Sequence, residues 1–119
     1  MSNLLTDIDI ERPAATQAVL VFRGEHDVAQ ADAVRELLSQ LVAENELVVA
    51  DFSEARFVDS TMINVLLHTK REASERLHRF RLQLGTPCAV QRVFEIAGVG
   101  PVLECAPTRA DALATTVHI

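Results

Sequence analysis

With 119 residues, of which 49% are hydrophobic, the chain is long enough to bury one core without a metal or a disulfide. Its 17 acidic residues exceed its 11 basic ones, and the resulting formal charge of -6 argues against nucleic acid and an anionic membrane surface as partners. No apolar run of about 18 residues appears and the first residues are acidic rather than basic, so we expect a cytoplasmic protein with one domain over residues 1–119.

The first half of the chain predicts two strands, a helix and a third strand. Residues 4–10 indicate an N-terminal strand, and residues 18–22 form a continuous apolar run of the kind buried on both faces of a sheet. A helix follows, because Asp27 and Gln30 form a capping box ahead of an apolar stripe with helical spacing: Val34, Leu37, Leu38, Leu41 and Val42. Residues 47–52 (LVVADF) form the next buried strand.

The second half continues this alternation. A second helix begins at residues 59–61 and carries an apolar stripe as far as Leu77, and residues 79–84 (RFRLQL) alternate as in a half-buried strand nearer an edge. A third helix spans residues 86–98, residues 101–105 (PVLEC) form a strand, and a last helix begins at Thr108. We therefore predict an α/β fold with a mainly parallel sheet of four to five strands, about four helices, and an antiparallel first strand allowed at an edge.

Catalytic and metal-binding patterns are missing from the sequence. It contains no phosphate-binding loop, dinucleotide fingerprint, nucleophile elbow or HExxH motif, and its four histidines are scattered. Cys88 and Cys105 have neither a CxxC spacing nor a paired-histidine pattern, so we expect two buried, unreactive side chains. We expect no metal, no cofactor and no catalytic residue; a small hydrolase built on Asp51, Asp59 and Ser60 remains a remote alternative, since no His or Lys in these motifs could activate the serine.

Residues 48–67 (VVADFSEARFVDSTMINVLL) are the one segment whose pattern indicates a functional site. A buried strand runs into a loop that returns to Asp59 and Ser60, so the Ser60 hydroxyl lies at the N-terminus of a helix, on the edge of the sheet where partners of open α/β sheets bind. Unpaired N–H groups and the helix dipole would tolerate a phosphate on Ser60. The residues by themselves favour a simpler interpretation, in which Ser60 is only an N-cap, Asp51 bonds loop N–H groups and Asp59 helps to cap the helix.

Three segments resemble the STAS domain family and, within it, the stand-alone anti-sigma-factor antagonists of bacteria. Residues 57–61 (FVDST) resemble the family's hydrophobic-hydrophobic-Asp-Ser-Ser/Thr segment, whose serine is phosphorylated by a partner kinase. Residues 23–27 (RGEHD) resemble its Gly-Glu-Leu-Asp turn, and residues 90–98 (VQRVFEIAG) resemble the segment of its third helix. The likeness covers residues 10 to 115, nearly the whole chain.

The resemblance implies partner switching in transcription control, a regulation associated with stress responses. The unphosphorylated protein would bind an anti-sigma factor that is a serine kinase, phosphorylation of Ser60 would release it, and a serine phosphatase would reset the cycle. ATP and Mg²⁺ would belong to the kinase, so this chain is expected not to be an enzyme. The implied partner-binding residues are Asp59, Thr61, Met62, Asp27, Glu25 and His26, with Thr61 as a second, less favoured acceptor; a weak homodimer stays open.

Two positions depart from the family pattern. Met62 stands where the family has glycine, and His26 where it has leucine. We expect Met62 to fill space beside the acceptor and to alter recognition by the kinase, because glycine would let a partner's backbone come close. This departure motivates a second hypothesis, a STAS binding module without phosphorylation, such as an accessory subunit of a lipid transporter.

Overall fold

The computed structural model describes residues 8–26, 28–84 and 103–114, without the side chains of residues 24–26, 28–30 and 56–58. The five strands are β1 (Ile8–Ala14), β2 (Gln17–His26), β3 (Leu47–Val58), β4 (Arg79–Gln83) and β5 (Glu104–Ala106). The three helices of the described part are α1 (Val28–Glu44), α2 (Ser60–Glu75) and α3 (Arg109–Leu113). The helix predicted over residues 86–98 lies outside the described residues.

The strands form one sheet in the order β1-β2-β3-β4-β5. β1 pairs antiparallel with β2, and the other neighbouring strands pair in parallel. The prediction of an α/β fold with a mainly parallel sheet and an antiparallel first strand is therefore confirmed. No helix among the described residues is long and apolar enough to cross a membrane.

Two apolar clusters cover the two faces of the sheet. On one face, α1 and α2 pack over β2, β3 and β4, and the rings of Phe22 and Phe52 stack there with centroids 4.4 Å apart. The stripe predicted for α1 lies in this cluster, with Leu37 only partly buried. On the other face, α3 packs over a smaller cluster of Val19, Val21, Leu47, Val49, Ala106 and Ala112.

β2 and β3 extend further than their apolar runs predicted. Residues 24–26, expected in a turn, belong to β2, and residues 53–58, expected in a loop, belong to β3. The two strands stay paired as far as His26 and Val58, with register shifts after Val21 and after Gly24. Hydrophobicity alone missed these extensions because the parallel ladder continues through polar residues once both strands are aligned.

β4 corrects a second expectation. β4 lies next to the edge strand β5, as its alternating pattern indicated, but it is not half-buried: Arg81 and Gln83 are only 8% and 7% exposed. Arg81 donates hydrogen bonds to the carbonyls of Ala112 and Ala114, and Gln83 accepts one from Arg109 at 2.8 Å. Arg81 and Gln83 are therefore buried, and the residues of α3 and its C-terminal end satisfy them.

Cys105 also departs from the prediction of a buried cysteine. It is a free cysteine on β5 and is exposed. Its sulfur is partly covered, and this desolvation raises the pKa of the thiol. Cys88 lies outside the described residues.

Leu77, expected at the end of the second helix's apolar stripe, lies beyond α2 instead. It is 93% exposed and has a φ of 61°, in the left-handed region. The N–H of His78 bonds back to the carbonyl of Ala73 at 2.9 Å, which is the hydrogen-bonding pattern of a Schellman turn.

We expect the substitution Leu77→Gly to raise the free energy of unfolding by about 1 kcal/mol, because glycine has no Cβ to clash in this conformation. The leucine is almost wholly exposed, so little burial is lost. Urea denaturation would measure the change, with Leu77→Ala as the control that shortens the side chain but keeps the Cβ. Equal stability of the glycine and alanine variants would contradict the expectation.

Candidate functional site

The junction between β3 and α2 presents Ser60 to solvent. β3 ends at Val58, Asp59 has extended backbone angles as the N-cap, and α2 begins at Ser60. The carboxylate of Asp59 accepts a hydrogen bond from the N–H of Met62 at 3.0 Å, so its predicted capping role is confirmed. Ser60 is exposed at the first helical position and is not the cap.

In this arrangement Asp59 caps the helix, and the neighbouring Ser60 is exposed. Because Asp59 satisfies the helix N–H, the Ser60 hydroxyl can be modified without removing the cap. The carboxylate of Asp59 would be a like charge directly beside an anion on Ser60, and the first turn of α2 itself adds no further acidic residue. The positive end of the helix dipole would favour such an anion.

Thr61 and Met62 differ in their exposure. Thr61 is half-buried, whereas Met62 is 0% exposed and belongs to the apolar cluster beneath α1 and α2. Met62, which was expected among the partner-binding residues, therefore has its side chain in the core and offers no surface to a partner. Its position in the first turn of α2 directs the side chain toward the sheet, and the core accommodates it there.

The end of β2 lies beside the strand that leads to Ser60. The backbone of Glu25 pairs with Phe57, and that of His26 pairs with Val58. Residues 25–26, in the RGEHD segment, and the end of the strand before Ser60 are far apart in sequence but are neighbours at the carboxyl edge of the sheet. The side chains of Glu25 and His26, and the whole of Asp27, lie outside the described part, so their contact roles stay predictions.

Asp51 lies away from Ser60, on the α3 face of the sheet. Its Oδ1 accepts hydrogen bonds from the backbone N–H and the hydroxyl of Ser53 at 2.9 and 2.6 Å, as expected for a carboxylate that bonds neighbouring N–H groups. Its Oδ2 accepts from Arg109 at 2.7 Å. Eight residue steps along β3 separate it from Asp59, roughly 26 Å at about 3.3 Å per residue, so the structure gives no support to a catalytic acid pair.

Arg109 is a site residue that the sequence did not suggest. Its guanidinium donates to Gln83, Glu11 and Asp51, which come from three different strands. Desolvation opposes its charge, but the hydrogen bonds and charges of the two carboxylates outweigh it and raise the pKa of Arg109. Since these partners are far apart in sequence, no local spacing could have indicated the cluster.

No metal site accompanies these residues. Among the residues that the structure describes, no group of three or more histidine, cysteine, aspartate or glutamate side chains is arranged to hold a metal ion. What the described groups at the edge of the sheet offer is an exposed hydroxyl at a helix N-terminus and backbone from two strand ends. Such an arrangement suits binding and modification.

Comparison with known proteins identifies the family. The family model described as "Mlab, STAS domain" matches residues 11–104. The chain belongs to the STAS domain family. No curated protein shows significant similarity to this STAS domain.

Solved structures share the fold of this STAS domain at low sequence identity. The anti-sigma factor antagonist SpoIIAA in its unphosphorylated form has a TM-score of 0.75 and 24% identity, over 89% of this chain and 92% of that chain. The phosphorylated form of SpoIIAA from Bacillus has a TM-score of 0.68 and 24% identity, over 89% of this chain and 96% of that chain. An anti-sigma factor antagonist from Mycobacterium paratuberculosis has a TM-score of 0.76 and 23% identity, over 89% of each chain.

Proposed function

We propose that this chain acts as a single STAS domain over residues 1–119 and is an anti-sigma factor antagonist controlled by phosphorylation of Ser60. It binds a kinase-type anti-sigma factor while Ser60 is unmodified, and it is released when that kinase phosphorylates Ser60. The observation that carries the proposal is the exposed Ser60 hydroxyl directly after the N-cap Asp59. That the similar fold of SpoIIAA is known in unphosphorylated and phosphorylated forms supports it.

The switch would work through charge. A phosphoserine carries about -1.5 to -2 charges at pH 7. At the N-terminus of α2 this charge meets the positive end of the helix dipole, so the domain tolerates it, whereas a partner matched to a neutral hydroxyl is repelled. The partner-binding edge would comprise Asp59 and Thr61 with Glu25, His26 and Asp27, without the buried Met62.

In this scheme the chain is a binding protein and not an enzyme. The kinase supplies ATP and Mg²⁺, and a serine phosphatase resets Ser60. Control of a sigma factor would place the protein in the cytoplasm and in transcription regulation. Its acidic charge of -6 agrees with a protein partner better than with nucleic acid or an anionic membrane.

The decisive experiment incubates the protein with its cognate anti-sigma factor kinase, ATP and Mg²⁺ and locates phosphate by mass spectrometry. We expect one phosphate on Ser60 in the wild type and in Thr61→Ala, and none in Ser60→Ala. We also expect Ser60→Asp to fold, because an acid in the first turn suits the helix dipole, and to bind the kinase at least tenfold more weakly. An unmodified Ser60 after full turnover of a control substrate would contradict the proposal.

A second candidate is a STAS binding module that is not phosphorylated, such as an accessory subunit of a transporter. One observation favours it: the family model that matches carries the description Mlab and not that of an antagonist. Under this hypothesis Ser60→Ala and Ser60→Asp bind the partner equally well, and a transporter ATPase co-purifies with the chain. A kinase-type anti-sigma factor as the co-purifying partner would reject it.

A further inference from the structure

The pairing of β3 with its neighbouring strands changes after Asp51. From Leu47 to Asp51 the strand pairs in register with β2 on one side and with β4 on the other, and the last β4 pair joins Asp51 to Gln83. Immediately afterwards the register with β2 shifts, and a second shift follows before Phe57. Residues 53–58 are here called the irregular half of β3: within the described part of the chain they pair with β2 alone, and that pairing is shifted in register.

The side chain of Asp51 forms hydrogen bonds at the point where the register of β3 changes. Its Oδ1 takes the N–H and the hydroxyl of Ser53, the first residue of the irregular half. A register shift leaves backbone groups without their usual ladder partner, and the carboxylate supplies an acceptor for one of them. The geometry at the start of the irregular half thus depends on where this carboxylate points.

Arg109 binds the other oxygen of this carboxylate. Its Nη2 donates to Asp51 Oδ2 at 2.7 Å, and its Nε donates to Gln83 Oε1 at 2.8 Å, so it spans the same β3–β4 pair at which the regular ladder ends. The Asp51 side chain is only 3% exposed, and water can replace little of what the arginine provides. Arg109 opens α3, so the position of this helix and the orientation of Asp51 are linked.

We propose that Arg109 is a positioning residue, which through Asp51 holds the irregular half of β3 and the paired end of β2 (residues 23–26) in the conformation that presents the edge around Ser60. Its consequence for partner binding rests on the proposed function, whereas the structural effect does not. Loss of Arg109 leaves the nearly buried Asp51 carboxylate without its cation, so its orientation toward Ser53 is no longer fixed. The irregular half then opens without unfolding of the core beneath α1 and α2.

Hydrogen exchange of the backbone amides, followed by NMR, tests the proposal on the protein itself. In Arg109→Gln we expect the amides of Ser53, Glu54 and Ala55 to exchange at least tenfold faster relative to the amide of Leu66 in α2. Leu113→Ala is the matched control, because it also weakens the packing of α3 but removes no contact to Asp51. In this control the ratio to Leu66 should stay within twofold of the wild type.

A second variant covers the case in which Arg109→Gln does not fold. Arg109→Lys keeps the positive charge but cannot contact Glu11, Asp51 and Gln83 together, and it should raise the same exchange ratio at least threefold. An unchanged ratio, or an equal rise in Leu113→Ala, would overturn the positioning role.

The exchange ratio and the phosphorylation assay separate the two proposals. If wild-type Ser60 is phosphorylated by the kinase, Arg109→Lys should be phosphorylated more slowly than Leu113→Ala, and equal rates would overturn the link to the site. If wild-type Ser60 is not phosphorylated, the proposed function fails, and the exchange ratio still decides whether Arg109 positions the strand.

Discussion

Replacement of Met62 by glycine is expected to lower the free energy of unfolding by about 3 to 4 kcal/mol and the melting temperature by roughly 15 °C. The side chain is 0% exposed and packs in the larger apolar cluster, so its removal leaves a cavity beneath α2. Glycine adds a smaller loss because it is more flexible in the unfolded chain. This change would introduce the glycine that the family pattern has two residues after its acceptor serine.

Urea denaturation of Met62→Gly beside Met62→Leu would measure the effect. Leucine conserves volume, so this control should lose less than about 1.5 kcal/mol. A glycine variant as stable as the leucine variant would mean that the site is not packed as described. If the glycine variant instead binds the kinase more tightly at a temperature at which it remains folded, the family's glycine serves the partner and not the fold.

The second large effect concerns Arg109. We expect Arg109→Met to lower the free energy of unfolding by about 3 kcal/mol, because it leaves the Asp51 carboxylate charged and nearly buried without its cation. The estimate lies at the lower end of the range for broken buried pairs, since the Arg109 side chain is 35% exposed. Equilibrium unfolding of the single variant gives this number directly.

A double-mutant cycle with Asp51→Asn would isolate the pair. The double variant should be more stable than the sum of the two single losses predicts, by at least about 1 kcal/mol, because the neutral amide removes the uncompensated charge. Glu11→Gln is the matched control on the same arginine: Glu11 is 47% exposed and its contact should contribute less than about 1 kcal/mol. Additive losses in the Arg109–Asp51 cycle would contradict the inference that Asp51 depends on this cation.

Features that depend on near neighbours in the chain were predictable. The start of α2 is an example, since Asp59 lies before an apolar stripe and aspartate is a good helix cap. The apolar runs of β2 and β3 and the stripe of α1 likewise indicated the core, because continuous or periodic hydrophobicity reports burial against whatever packs nearby. The N-cap Thr108 of α3 belongs to the same class.

Several features of the site depended on contacts that local patterns do not contain. The lengths of β2 and β3 were underestimated because pairing between strands carried them through polar residues. Met62 has the same hydrophobic character whether it faces a partner or the core, and only the packing of α2 against the sheet decides which. Leu77 continued the helical spacing, but α2 ends before it and its backbone turns to a positive φ.

The sequence by itself determined the α/β class, the order of the described elements and the location of Ser60 at the head of a helix, because capping and periodicity act within a few residues. Only the tertiary structure brought the end of β2 beside the strand leading to Ser60 and gathered Glu11, Asp51 and Gln83 around Arg109. The physical reason is that strand order and register set which distant residues become neighbours. The residues around a carboxylate or an arginine in the sequence do not indicate which residue on another strand it will contact.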